Sequence, residues 1–134
     1  MSNLKGAERP TLVFFMNKVD KFEDLRIWQE ARELVKDIYL DFKDCSDWGF
    51  KKQIQDAGVS IMNNIAEGFE RKSNKEFSRF LDISKASAGE VRSMYYSAED
   101  LKYVDFETAQ NRRNTAKHIS GGISGLMNYL KSLN

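Results

Sequence analysis

Residues 53–90 read QIQDAGVSIMNNIAEGFERKSNKEFSRFLDISKASAGE, and this stretch decides the fold. It predicts one helix, a tight break and the start of a longer helix. Phe50, Ile54, Ala57, Ile61 and Ile65 recur at helical spacing in the first part. Val59, Met62, Ala66 and Phe69 give that helix a second apolar side. Gly68 stands where a helix can end in a left-handed residue without steric cost, so the helix is expected to run from Trp48 to Glu67. Ser73 then opens S-N-K-E, a capping box in which Glu76 can reach back to the Ser73 amide. Beyond it, Phe77, Phe80, Leu81, Ser84, Ala88, Val91, Tyr95, Ala98 and Leu101 form a seam. They predict a helix from Asn74 to Tyr103, about 45 Å long at 1.5 Å per residue.

The same period extends outward in both directions. On the N-terminal side a helix is expected from Asp24 to Asp44, with Leu25, Trp28, Val35, Tyr39 and Phe42 on one side. Ile27, Ala31, Leu34 and Ile38 lie beside them, so the apolar stripe is wider than a surface helix needs. Ser46 or Asp47 can cap the helix that follows. On the C-terminal side Asp105 is placed to cap a helix reaching Leu130, with Ala109, Ala116, Ile119, Ile123, Leu126 and Leu130 as its seam. Gly121, Gly122 and Gly125 weaken this helix intrinsically, and their expected use is close approach of a neighbouring backbone.

Pro10 is the sole proline, and no alternating run is long enough to predict a strand. Long helices with short connections predict an all-α, antiparallel up-down-up-down four-helix bundle over residues 22–134. Residues 1–21 are expected to be a flexible N-terminal arm or upstream extension, with Met16 a candidate start of translation. The wide stripes on the first two helices point to a homo-oligomer that would cover them.

Composition narrows the function classes. A chain of 134 residues suits one domain. Lysine and arginine number 21 against 20 acids, giving a net charge of +1. That balance counts against a strong, non-specific nucleic-acid binder but leaves room for a local basic patch. Cys45 is alone, so it can form neither an internal disulfide nor a thiolate metal site, and a reducing cytoplasm is expected. No membrane span is expected, because the long apolar segments are amphipathic.

FEDLRIWQEA (Phe22 to Ala31) and SIMNNIAEGFERKSNKEFSRFLDIS (Ser60 to Ser84) carry a resemblance. The phrase NIAEGF before a basic residue, a serine cap and KEF-x-RFL resembles the 23S rRNA intervening-sequence protein family, also called the S23 or four-helix-bundle protein family. The match extends over about residues 22–131. It implies a four-helix bundle, assembly into homopentamers and no established enzymatic activity or cofactor. Some relatives are encoded within insertions in bacterial 23S rRNA genes. A similar group serves as accessory protein to the reverse transcriptase of diversity-generating retroelements, binding nucleic acid and polymerase through basic surface. This chain departs from the usual pattern at Gln55 and Asp56, where relatives tend to carry basic residues, and in its near-neutral charge.

Several constellations are candidates for function. Ser60, Asn64 and Glu67 share one helix face, and Ser87 with Glu90 form a similar pair on the next helix. They could line a pocket, but the structural role is preferred: a polar network that fixes helix register. Arg71, Lys72, Lys75 and Arg79 cluster at the break and form a candidate nucleic-acid-binding rim, interleaved with Glu70, Glu76 and Asp82. Lys51, Lys52, Lys85 and Arg92 extend the basic surface. Arg113 and His118 match the R-x(4–6)-H spacing of HEPN ribonucleases, in which arginine and histidine meet across a dimer cleft and cleave RNA without metal. No metal site is expected, since a di-iron bundle needs E-x-x-H and Thr115 occupies the position three before His118.

The sequence therefore leads to a non-catalytic, cytoplasmic, homo-oligomeric scaffold or binding protein, pentameric by resemblance. Its partners are expected to be other copies of itself, and RNA or a nucleic-acid-processing protein. The alternative is a HEPN-like, metal-independent ribonuclease using Arg113 and His118.

Overall fold

The structure, a computed structural model, describes residues 12–14 and 17–133. Its helices are α1 (Arg26–Asp41), α2 (Trp48–Phe69), α3 (Asn74–Asp100) and α4 (Phe106–Ser132). α2 packs on α3, α3 on α4, and α1 against both α2 and α4. Each helix thus lies beside its sequence neighbour and α4 closes the ring onto α1, which is an up-down-up-down bundle. The core is built from the predicted seams, except that Tyr39, in the last turn of α1, and Leu101, just past the end of α3, are exposed where their helices run out of the bundle. Ile38, Ile54, Ile61, Ile65, Leu81, Val91, Ile119, Ile123 and Leu130 are fully enclosed, each stabilising the fold by about 1.5–3 kcal/mol relative to exposure.

Before α1, strands β1 (Leu12–Phe14) and β2 (Asn17–Val19) pair antiparallel, with Leu12 opposite Val19 and Phe14 opposite Asn17. The sequence had predicted no strand, and segments of three residues are too short to show alternation. Val19 is buried with the bundle core. Most of the expected N-terminal arm, including Met16, lies outside the described residues.

α1 begins later than its periodicity predicts. Phe22–Asp24 form a separate 3-10 turn, and Leu25 is extended before the helix starts. α2 opens with the Asp47 carboxylate accepting the Phe50 amide at 3.2 Å. At its far end Gly68 is helical and does not form a left-handed terminus. Its real role is clearance: a Cβ there would stand 2.8 Å from the Phe80 Cβ and 3.2 Å from the Phe77 carbonyl oxygen. Ser73 forms half of the expected capping box, accepting the Glu76 amide at 3.1 Å. The Glu76 carboxylate pairs with Arg71 Nε at 3.2 Å rather than reaching back.

α3 ends at Asp100 in a Schellman arrangement. The Tyr103 amide donates to the Ala98 carbonyl at 2.8 Å and the Lys102 amide to Glu99 at 3.0 Å. Lys102 takes the left-handed position, with φ 62°, where glycine is the usual occupant. Asp105 caps α4 through the Thr108 amide at 2.8 Å. Of the α4 glycines, Gly122 admits Ile27 of α1, whose Cγ2 would lie 2.7 Å from an added Cβ. Gly121 and Gly125 meet nothing within 4 Å, so within this chain close approach explains Gly122 alone among the three.

Candidate functional site

The polar groups singled out on α2 and α3 fall into separate sets. Ser60 Oγ and Ser87 Oγ share a 2.7 Å hydrogen bond, and Asn64 Nδ2 donates to Ser60 Oγ at 3.0 Å and to the Ser60 carbonyl at 2.8 Å. About two turns back along α2, Gln53 Nε2 donates to Glu90 at 3.2 Å. Glu67 is exposed and stands outside these bonds. The most buried polar link is one the sequence placed in an apolar seam: Ser84 Oγ donates to the Ile61 carbonyl at 2.7 Å. A shallow groove of about 410 Å³ runs past Gln53, Ser60, Ser87 and Glu90. Lys52 beside it is paired with Asp56 at 3.0 Å.

The basic rim is divided as well. Arg71 is held by Glu76 and lies 5.1 Å from the Phe80 ring centroid. Lys72, Lys75 and Arg79 are exposed, and no ion pair among the described residues engages them. Helix packing therefore gathers all four at the α2–α3 break but leaves three with charge to offer.

Arg113 and His118 do not meet. Five residues along α4 separate them by about 140° around the axis. Arg113 is buried toward α3, with Nη1 3.0 Å from Glu99 and donating to the Tyr95 carbonyl at 3.4 Å. His118 is 72% exposed at its side chain and faces α1, with Nε2 3.3 Å from Glu30. Within one chain the geometry gives them no common cleft, and each is already engaged by a carboxylate; the ribonuclease alternative is not favoured.

Two features escaped the sequence reading. The first is a cluster between α1, α3 and α4. Tyr95 OH donates to Asp41 Oδ2 at 2.7 Å, and Arg112 donates to both oxygens of Asp41 at 2.8 and 3.0 Å. Burial and the Asp41 carboxylate hold the Tyr95 hydroxyl far above the ordinary tyrosine range. The hydrogen bond to Asp41 likewise raises Arg112. A related bond ties the α3–α4 turn to the start of α2: Tyr103 OH donates to Asp47 at 2.6 Å. It pushes Tyr103 up to about 12 and lowers Asp47.

The second feature is apolar surface. Tyr39, Leu40, Trp48, Tyr96, Leu101 and Phe106 are all exposed, Trp48 to 71%. They occupy the C-terminal ends of α1 and α3 and the N-terminal ends of α2 and α4, which meet at one end of the bundle. The helical seams do not contain most of them, and no one-dimensional pattern joins them. Among the described residues no helix is long and apolar enough to cross a membrane. No group of three or more His, Cys, Asp or Glu side chains among them is disposed to hold a metal ion.

Comparison with known proteins agrees with this architecture. A family model described as 23S rRNA-intervening sequence protein matches residues 23–125. Among solved structures, a protein of unknown function from the S23 ribosomal protein family of Bacteroides thetaiotaomicron superposes with a TM-score of 0.71. The two are 21% identical, and the match covers 75% of this chain and 97% of that one. At that identity the likeness speaks to the fold alone. No curated protein matches the chain.

Proposed function

We propose that this chain, which belongs to the 23S rRNA-intervening sequence protein family, is a non-catalytic homo-oligomeric scaffold that associates with RNA or with a nucleic-acid-processing protein in the cytoplasm. The observation that carries the reading is the set of apolar side chains exposed on α1, on α2 and at the C-terminus of α3, at one end of the bundle; Tyr96 and Phe106, between α3 and α4, are not counted in it. Tyr39, Leu40, Trp48 and Leu101 are large side chains left in water by the folded chain. Covering a side chain of this kind is worth about 1.5–3 kcal/mol, and several such side chains exposed at one end of a bundle favour an interaction surface there. A second copy of the chain supplies the matching apolar surface, and closed symmetry then repeats every other surface feature. The pentameric number comes from the resemblance noted in the sequence.

Association with nucleic acid is supported by Lys72, Lys75 and Arg79, which an oligomer would multiply into a ring of cations. Arg113 and His118 engage Glu99 and Glu30 on different helices, which supports the scaffold over the nuclease. Light scattering on a size-exclusion column tests assembly: the wild type is expected at five times the monomer mass, and Trp48→Asp at a smaller species. A wild-type monomer at micromolar concentration would sink the scaffold reading. RNA cleavage abolished by His118→Ala would restore the nuclease.

A further inference from the structure

The side of the bundle between α3 and α4 carries a surface unlike the rest. Arg92 and Tyr96 lie one turn apart on α3, and Phe106, Gln110, Asn114 and Lys117 recur at three- and four-residue steps on α4. Together with Arg113 they enclose a pocket of about 200 Å³, and no acidic side chain lines it. Phe106 to Lys117 spans about 16 Å of helix, against about 3.4 Å per stacked nucleotide.

The charges here are divided by role. Arg113 is neutralised by Glu99 at 3.0 Å, and its guanidinium carbon lies 4.1 Å from the Tyr96 ring centroid. It therefore acts as a support that holds the tyrosine ring in place, and that ring is still 57% exposed. Phe106, at the start of α4, is 60% exposed. No ion pair among the described residues engages Arg92 or Lys117. Gln110 and Asn114 sit between the aromatics and the cations, each with amide donors and an acceptor.

We propose that this groove binds single-stranded nucleic acid, with unpaired bases stacked on Tyr96 and Phe106. Arg92 and Lys117 meet the phosphates, and Gln110 and Asn114 face the base edges. One exposed ring backed by Arg113 and a second exposed ring, flanked by unengaged cations and neutral amides, suit a base with its phosphate. An acidic peptide would use the cations but leave both rings in water. The inference rests on the nucleic-acid association proposed above and adds a contact on the side of the bundle, away from the rim.

Fluorescence anisotropy tests it, using the full chain with labelled ten-nucleotide U and A strands as RNA and as DNA, beside an RNA hairpin duplex. Single strands are expected to bind more tightly than the duplex, and a preference for RNA over DNA would point to contacts with the 2′-hydroxyl. Tyr96→Ala and Phe106→Ala should each weaken single-strand binding roughly five- to hundredfold. Arg92→Ala with Lys117→Ala should lower the salt slope by about 1.4, at 0.7 for each phosphate contact. Ultraviolet crosslinking of the unmodified protein should label peptides carrying Tyr96 or Phe106, which keeps the test valid if a variant misfolds. Equal affinity for duplex and single strand overturns the stacking geometry. Loss of binding in Lys72→Ala/Lys75→Ala/Arg79→Ala, with the groove variants unchanged, overturns the groove and leaves the association standing. Failure of the wild type to bind any strand overturns both.

Discussion

Replacing Gly68 by alanine tests how the bundle is held together at the α2–α3 reversal. By propensity the change should help, since alanine in a helix interior is favoured over glycine by about 1 kcal/mol. The structure predicts the opposite. The new methyl would lie 2.8 Å from the Phe80 Cβ, 2.9 Å from Phe77 Cδ1 and 3.2 Å from the Phe77 carbonyl oxygen, whereas carbon atoms make their best contacts at about 3.5–4.0 Å. Two of those atoms are a Cβ and a backbone oxygen, which cannot swing aside. The third belongs to a fully buried ring already set edge-on against Phe69 at 5.8 Å. Overpacking of this kind costs about 1–3 kcal/mol, and rigid neighbours put it at the upper end. Net destabilisation of about 2 kcal/mol follows, lowering the melting temperature by roughly 6–10 °C for a chain of this length. Circular dichroism melting and urea unfolding measure it, with Gly89→Ala as the control. Gly89 also sits in a helix, but its added Cβ meets nothing within 4 Å, so that variant should gain up to about 1 kcal/mol. A Gly68→Ala protein as stable as the wild type would refute the clearance argument.

The remaining predictions concern the polar links. Asp41→Ala should cost about 2–3 kcal/mol, because it strands the Tyr95 hydroxyl and leaves Arg112, itself partly exposed, without its main partner; a double-mutant cycle with Tyr95→Phe should show coupling above about 0.5 kcal/mol, and additive losses would dissolve the cluster as a unit. Lys102→Gly should stabilise by about 0.5–1 kcal/mol by relieving the left-handed lysine, seen as a higher urea midpoint. Tyr95 and Tyr103 are both raised above the ordinary tyrosine value, so the folded chain keeps protons that the unfolded chain loses near pH 10. Their contribution is intact below pH 10 and falls as pH rises beyond it; Tyr95→Phe should flatten that alkaline loss, and an unchanged profile would contradict it. Asp47 is lowered by its bond from Tyr103, so its contribution holds above the usual carboxylate range and disappears as the solution is acidified below it. Tyr103→Phe should therefore bring the acid unfolding curve closer to that of Asp47→Asn.

What was legible in the sequence was what lies close along the chain. The seams of α2, α3 and α4, the Ser73 and Asp105 caps and the ring order of the helices all follow from offsets of three, four and seven. Gly68 stands out in the sequence, but a left-handed terminus and a close approach both call for glycine, and only the packing against Phe77 and Phe80 distinguishes them. The Asp41–Tyr95–Arg112 cluster was out of reach: its members are separated by 54 and 71 residues, and each looks like an ordinary surface or seam residue alone. Arg113 was noticed for its spacing to His118, a pattern of the chain, while its contacts come from α3, a fact of the bundle. The exposed end escaped for the same reason, since four separate helix ends contribute to it.

The net charge of +1 understates what the surface offers. Ion pairing removes cations unevenly: Lys52, Arg71, Arg112 and Arg113 are matched to Asp56, Glu76, Asp41 and Glu99. Lys72, Lys75 and Arg79 at one end, and Arg92 and Lys117 along the side, are not matched among the described residues. At physiological ionic strength charges beyond about 8 Å are largely screened from one another, so only nearby acids, such as Asp82 beside Lys75 and Arg79, offset these five. A phosphate approaching either surface meets the local excess rather than the sum over the chain. Neutral composition therefore argues against a protein that coats nucleic acid indiscriminately, but it is compatible with discrete contacts of two or three phosphates each. Such contacts are weak singly, and repetition around a closed oligomer is what would make them effective. On this reasoning the proposed assembly through the apolar end would supply the valency that the unmatched cations need.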